Sequence, residues 1–219
     1  MGNSLLNYPQ SMGIFDVIML LLTGLVAIYM IYRFLQRQKN PETAGVWNIY
    51  YIVGFLVLLV AGLLLIIFGW QALGNNFVAV VAGLIPFSLA TGLVAQFYPK
   101  YAKPYLWLMV IGLVLITVAR YGNMVGLGSV VYPIFHAIAG LTIVIIPFLA
   151  CKGQKVQKGF SAVAIGGILI GLGGMALAFL KAGKQLLFFS NDVVFAILSP
   201  LLLLMALFFT FGFMKGVKK

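Results

Sequence analysis

Acidic residues are almost missing from this chain: Asp16, Glu42 and Asp192 are the only three in 219 residues. Histidine and cysteine occur once each, as His136 and Cys151. A single cysteine excludes an intrachain disulfide, and it excludes any cysteine-rich zinc or iron–sulfur site built within one chain. There is no glycine-rich phosphate loop with a lysine, no HExxH and no serine–histidine–aspartate set in a recognisable context. The first ten residues carry no lysine or arginine, so the basic start of a secretory signal peptide is absent. Gly2 and Ser4 superficially match a myristoylation signal, but Leu6 stands where that signal has Ser or Thr.

Charge as a whole is scarce too. Only 8% of residues are charged, against about 25% in soluble globular proteins. What fills the space is apolar: 63% of the chain is hydrophobic and the mean hydropathy is +1.15. Too few polar residues remain to coat a water-facing surface. The outside must face lipid, which makes this an all-α integral membrane protein. The net charge of +11 lies between apolar runs, where it sets topology and is no footprint of nucleic acid.

A bilayer core about 30 Å thick takes about 20 apolar residues in a helix. Seven stretches meet this, at approximately 13–34, 47–70, 77–97, 104–120, 127–150, 160–180 and 192–214. They predict one polytopic domain, residues 1–219, folded as a single bundle of seven transmembrane helices. The fourth stretch is the shortest and is expected to cross with little tilt or to lean on Arg120 reaching to the interface. Loops alternating between two sides then sort the basic residues. Arg33, Arg37, Lys39, Lys100, Lys103, Lys152, Lys155, Lys158, Lys215, Lys218 and Lys219 fall on one side; Arg120, Lys181 and Lys184 fall on the other. The excess of Lys and Arg marks the cytoplasm, so the N-terminus is expected outside and the C-terminus inside, in a multi-pass protein of the cell membrane. A duplication of spans 1–3 in 5–7 has little support, since only Pro86 and Pro200 loosely correspond.

Three features carry possible chemistry. His136 lies deep in the fifth span, where ionisable groups are costly and face the bundle interior. Three roles compete: a neutral imidazole bonded to a neighbouring hydroxyl or carbonyl, a contact to haem b or a quinone, or a proton-coupled or substrate contact. Gly140, one turn on, leaves room beside it. A haem with two histidines needs a second chain or another ligand. Asp16, Arg120 and Asp192 share the outer side and are expected to form a polar vestibule, with Asp16 pairing Arg120 or a lysine and Asp192 capping the last helix. Simple interface anchoring explains them equally. Ala164, Gly167, Gly171, Gly174 and Ala178 form a small-residue stripe on the sixth span, a helix-packing seam that meets either the protein's own bundle or a partner chain. Ser88 and Thr91 are expected to satisfy carbonyls freed by Pro86.

These features point to a non-catalytic membrane subunit that packs with other membrane chains or with itself through residues 160–180, holding a haem or quinone near His136. The alternatives are a small transporter or channel using the vestibule, and, last, an intramembrane enzyme. The seventh span has no lysine, which excludes a retinal Schiff base. Two outcomes are expected. An impermeant thiol reagent leaves Cys151 unlabelled in intact cells, and labelling there reverses the topology. Gly171→Leu weakens folding or assembly, read as oligomer size and melting temperature.

Overall fold

The computed structural model describes residues 7–9, 11–181, 184–185 and 187–216. Gly2, Ser4, Leu6, Lys218, Lys219 and the side chain of Lys181 lie outside the described set. Seven helices, each long and apolar enough to cross a membrane, follow in order. They are α1 (Ile14–Lys39), α2 (Val46–Phe68), α3 (Asn76–Phe97), α4 (Ala102–Tyr121), α5 (Val125–Lys152), α6 (Ala162–Lys181) and α7 (Asn191–Met214). Among the described residues there is no β-strand. The chain is an all-helical, multi-pass membrane protein with seven spans.

The ends of the helices follow local chemistry. The α1–α2 turn is clamped by buried Asn48, whose amide donates to Gln38 Oε1 (3.1 Å) and the Thr43 carbonyl (2.9 Å). Gly69 stops α2 by turning left-handed at φ 67°, a conformation cheap only for glycine. A single 3₁₀ turn, Trp70–Gly74, then tucks Trp70 into the bundle. Asn75 starts α3 by accepting from the Phe77 and Val78 amides. Ser190 caps α7 by accepting from Val193 N, so Asp192 is not the cap; it sits exposed in the first turn, where the helix dipole favours it. Two lengths also differ from expectation. The first helix runs on past Phe34 through Arg37 and Lys39, and α4 begins at Ala102 and has 20 residues, about 30 Å of helix.

Packing forms a closed circuit of neighbours: α1 on α2, α2 on α3, α3 on α5, α5 on α6, α6 on α7 and α7 back on α1. Helix α4 stands outside it, against α3 and α5. Because α3 alone is flanked by α2, α4 and α5, every residue from Ile85 to Ala95 is buried. Read from α5 the order of neighbours is the same as read from α1. The sequence shows only Pro86 and Pro200 of this correspondence.

Where lipid removes the hydrophobic drive between helices, close van der Waals contact must hold them. One end of the bundle is plugged by aromatics: Phe34, Tyr51, Phe55, Phe160, Phe209 and Phe213. Tyr51 and Phe213 have centroids 4.5 Å apart, Phe34 and Tyr51 4.9 Å. Tyr51 donates its hydroxyl to Gln96 Oε1 at 2.7 Å, which allows a phenol to sit in that core. Such ring pairs contribute about 0.5–1.5 kcal/mol each beyond area burial.

Glycines bring the remaining backbones together. A Cβ on Gly212 of α7 would lie 2.6 Å from the Val163 amide nitrogen of α6. One on Gly166 would strike Phe209, and one on Gly167 would strike Ile143 of α5. The small-residue stripe therefore faces α5 of the same chain at Gly167 and Gly174. At Gly171, however, a Cβ would meet nothing within 4 Å, so the stripe is not uniformly tight and Gly171 is not its critical position. Gly212→Ala is expected to destabilise by about 1–3 kcal/mol through overpacking. By contrast, Gly171→Ala should hold or slightly raise the melting temperature through helix propensity. Equal melting temperatures for the two variants in detergent would contradict this packing.

Candidate functional site

Small side chains make a cavity at the bundle end opposite the aromatic plug. Ala79 and Ala82 of α3, Ala119 of α4, Gly128 of α5 and Gly174 and Ala178 of α6 leave about 320 Å³ unfilled. Tyr8, ahead of α1, closes part of the mouth. The segment before α1 is held there by Asn7, which exchanges two hydrogen bonds with Asn191 (2.8 and 2.9 Å), and by Tyr8 packed edge-on to Phe195. Burial pushes the Tyr8 phenol above its ordinary range, opposed by the Arg120 charge, so it stays protonated at neutral pH.

The polar groups on the cavity wall are few. Arg120, in the last turn of α4, is the only charged residue lining it among the described residues. Its guanidinium carbon lies 5.8 Å from the Tyr132 ring centre, and its carbonyl accepts from Asn76 Nδ2 at 3.2 Å. Two prolines add acceptors. Pro86 has no N–H to offer the Ala82 carbonyl, and Pro133 none for Ser129; both Ala82 and Ser129 line the cavity. The hydroxyls of Ser88 and Thr91 do not repair this, because they donate to the Leu84 and Phe87 carbonyls. Each hydroxyl reaches back one turn of its own helix, so neither meets the carbonyl freed by Pro86.

His136 lies just beneath. It is one turn past Tyr132 on α5, and the two rings stack at 5.7 Å with 16° between planes. The imidazole sits about 16 Å along α5 from Val125 and is 8% exposed. Nδ1 and Nε2 are both buried, and neither has a hydroxyl at hydrogen-bond geometry. The backbone of Ile170, one turn before Gly174, is the hydrogen-bonding group beside the ring, in keeping with a neutral imidazole set against a neighbouring carbonyl. The missing Cβ of Gly174 is what admits the ring, since an alanine there would overlap Nε2. A metal needs an open position beside one ring nitrogen, and both are sealed, so the geometry does not seat a haem on His136. Gly140, next along α5, has open space where a Cβ would be.

The expected vestibule is not assembled. Of Asp16, Arg120 and Asp192, only Arg120 reaches the cavity. Asp16 has no basic partner among the described residues; it accepts the Ser199 hydroxyl at 2.5 Å and the Gly13 amide at 3.3 Å. Ser199 is fully buried in α7, and its hydroxyl satisfies the carboxylate where α1 and α7 touch. Asp192 faces solvent. Of the stripe, Gly174 and Ala178 line the cavity, Gly167 packs on Ile143, and Ala164 is buried. Sequence reasoning missed Tyr8, Asn76, Ser129 and Tyr132. Tyr132 alone had a readable signal, its four-residue spacing from His136.

The chain matches no protein-family model, no curated protein and no solved structure at a significant level. The site must be read from its own chemistry. Because Gly174 and His136 occupy one space, Gly174→Ala should destabilise by about 1–3 kcal/mol. In the His136→Ala background the same change should cost much less, a coupling of about 0.5–3 kcal/mol in a double-mutant cycle. Strict additivity in thermal unfolding would place the imidazole elsewhere.

Proposed function

We propose that this protein is a non-catalytic, multi-pass protein of the cell membrane that holds the oxygen-bearing head of an amphipathic molecule, of the quinone or long-chain carboxylate kind, and acts with partner membrane chains. One observation carries the reading: Arg120 lines a mostly apolar cavity that, among the described residues, has no carboxylate on its wall. A permanent cation in such a place is costly unless an acceptor comes to it. A volume of about 320 Å³ is at the lower end of the range for small-ligand sites, about 300–1,000 Å³. It accommodates a ring or a carboxyl head and leaves an apolar tail to lipid. Tyr132 orients Arg120 through its ring face, and His136 stiffens Tyr132 from below.

The excess of Lys and Arg at the opposite end of the bundle supports a cytoplasmic assignment for that end, so the cavity opens outward. A transporter is the second reading. It is favoured by Pro86 and Pro133, which remove one helical hydrogen bond each from α3 and α5, two helices that wall the cavity. The aromatic plug at the other end weighs against a through path. Among the described residues no nucleophile–base pair lines the cavity, which leaves an enzyme the least supported reading.

The test is a ligand titration of the purified full-length protein, followed by thermal stabilisation. A decyl-tailed benzoquinone or palmitate should raise the melting temperature, by linkage to the folded state. Arg120→Gln should weaken the effective ligand at least about tenfold, as loss of a charge-assisted hydrogen bond requires. Arg120→Lys should fall between, since lysine keeps the charge without the fork. No stabilisation by either ligand, or equal binding by Arg120→Gln, would overturn the reading.

A further inference from the structure

The bundle end that carries the aromatic plug has a polar notch of its own, separate from the cavity. It lies between the last turns of α1 and α7 and is lined by Arg33, Gln36, Arg37, Asn40 and Lys215, among others. With 26 residues α1 is about 39 Å long, against a bilayer core of about 30 Å. Its last turns therefore stand at headgroup level. Arg33 and Arg37 are one turn apart on one helix face, where like charges repel. Arg37 spends one nitrogen on the Phe213 carbonyl at 2.7 Å and lies over the Phe34 ring. Arg33 Nε is buried without a hydrogen-bond partner. Among the described residues no carboxylate lines the notch. Glu42, the acid nearest in sequence, is exposed in the α1–α2 turn, its amide donating to Asn40 Oδ1.

Two arginine side chains share this recess with amide side chains and, among the described residues, no anion; Lys215 lines its edge, with its ammonium 5.8 Å over the Phe211 ring. Phosphate is the anion that this set fits, because its oxygens accept from guanidinium forks in pairs. We propose that the Arg33–Arg37–Lys215 notch binds a phosphate group at the membrane interface, held on an anionic phospholipid or on a free phosphate. Juxtamembrane basic residues attract anionic headgroups in general. The notch differs in that two arginine side chains line one recess with no carboxylate beside them among the described residues, and Arg33 Nε, buried behind it, has no internal partner.

The experiment uses full-length protein in neutral detergent, titrated with short-chain phosphatidylglycerol, the matching phosphatidylcholine, and inorganic phosphate, with melting temperature as readout. Phosphatidylglycerol should stabilise at concentrations where phosphatidylcholine does not. Arg33→Gln should raise the half-saturating concentration at least about tenfold. It breaks no internal hydrogen bond of Nε, and Arg33→Lys, which keeps the charge, gives a second, intermediate reading. Lys103→Gln removes the same charge from the same end at an exposed site outside the notch, and should leave binding unchanged. Stabilisation by inorganic phosphate as well assigns the phosphate group alone; its failure assigns the lipid. Equal losses for Arg33→Gln and Lys103→Gln, or equal effects of the two lipids, would overturn the proposal.

Discussion

Helix α6 is gripped from both sides through glycine, and the bundle depends on that grip. Gly166 receives Phe209, Gly212 of α7 receives the Val163 backbone, and Gly167 and Gly174 receive Ile143 and His136 of α5. Lipid offers apolar helices no reason to prefer one another over acyl chains, so contact must come from backbones close enough for dense packing. Side chains at these glycines would push α6 outward. The circuit from α1 round to α7 would open at its most tightly closed joint, and with it the wall that Gly174 and Ala178 give the cavity.

The cavity and the grip are two results of one choice of residues. Where small residues of facing helices meet a large partner, as at Gly174 and His136, the helices close. Where small residues face other small residues, as at Ala82, Gly128 and Ala178, space remains. Arg120 and Tyr132 then give that space a donor and an oriented ring. Pro86 and Pro133 leave the Ala82 and Ser129 carbonyls without their i+4 amide donors, so the wall offers both hydrogen-bonding signs in an apolar setting. His136 belongs to the support of this wall and has no open face toward it.

The fold was largely legible because each span is a long apolar run, and lipid leaves only the helix to satisfy its backbone. Boundaries failed where helix and hydropathy part company. Arg33, Arg37 and Lys39 are helical yet polar, and Lys103 hides the first turn of α4. The site was less legible. The depth of His136 could be read, but a void shared by four helices has no pattern within any one of them. Asp16 shows the other limit: a carboxylate in sequence invites a cationic partner, whereas the structure answers it with the buried hydroxyl of Ser199. A hydroxyl that ordinarily bonds its own helix leaves no signal of such a partnership.

The fourth helix, outside the circuit, acts on parity. It contributes one crossing and little enclosure, yet that crossing lets α5, α6 and α7 run in the same senses as α1, α2 and α3. Without it the second trio would enter the membrane upside down, and the junctions α3–α5 and α7–α1 would pair antiparallel helices where parallel ones now meet. An element that touches only two neighbours thereby decides which residues of the second half share a leaflet with those of the first. That Arg120 and Tyr132 meet at one depth follows from this single extra pass.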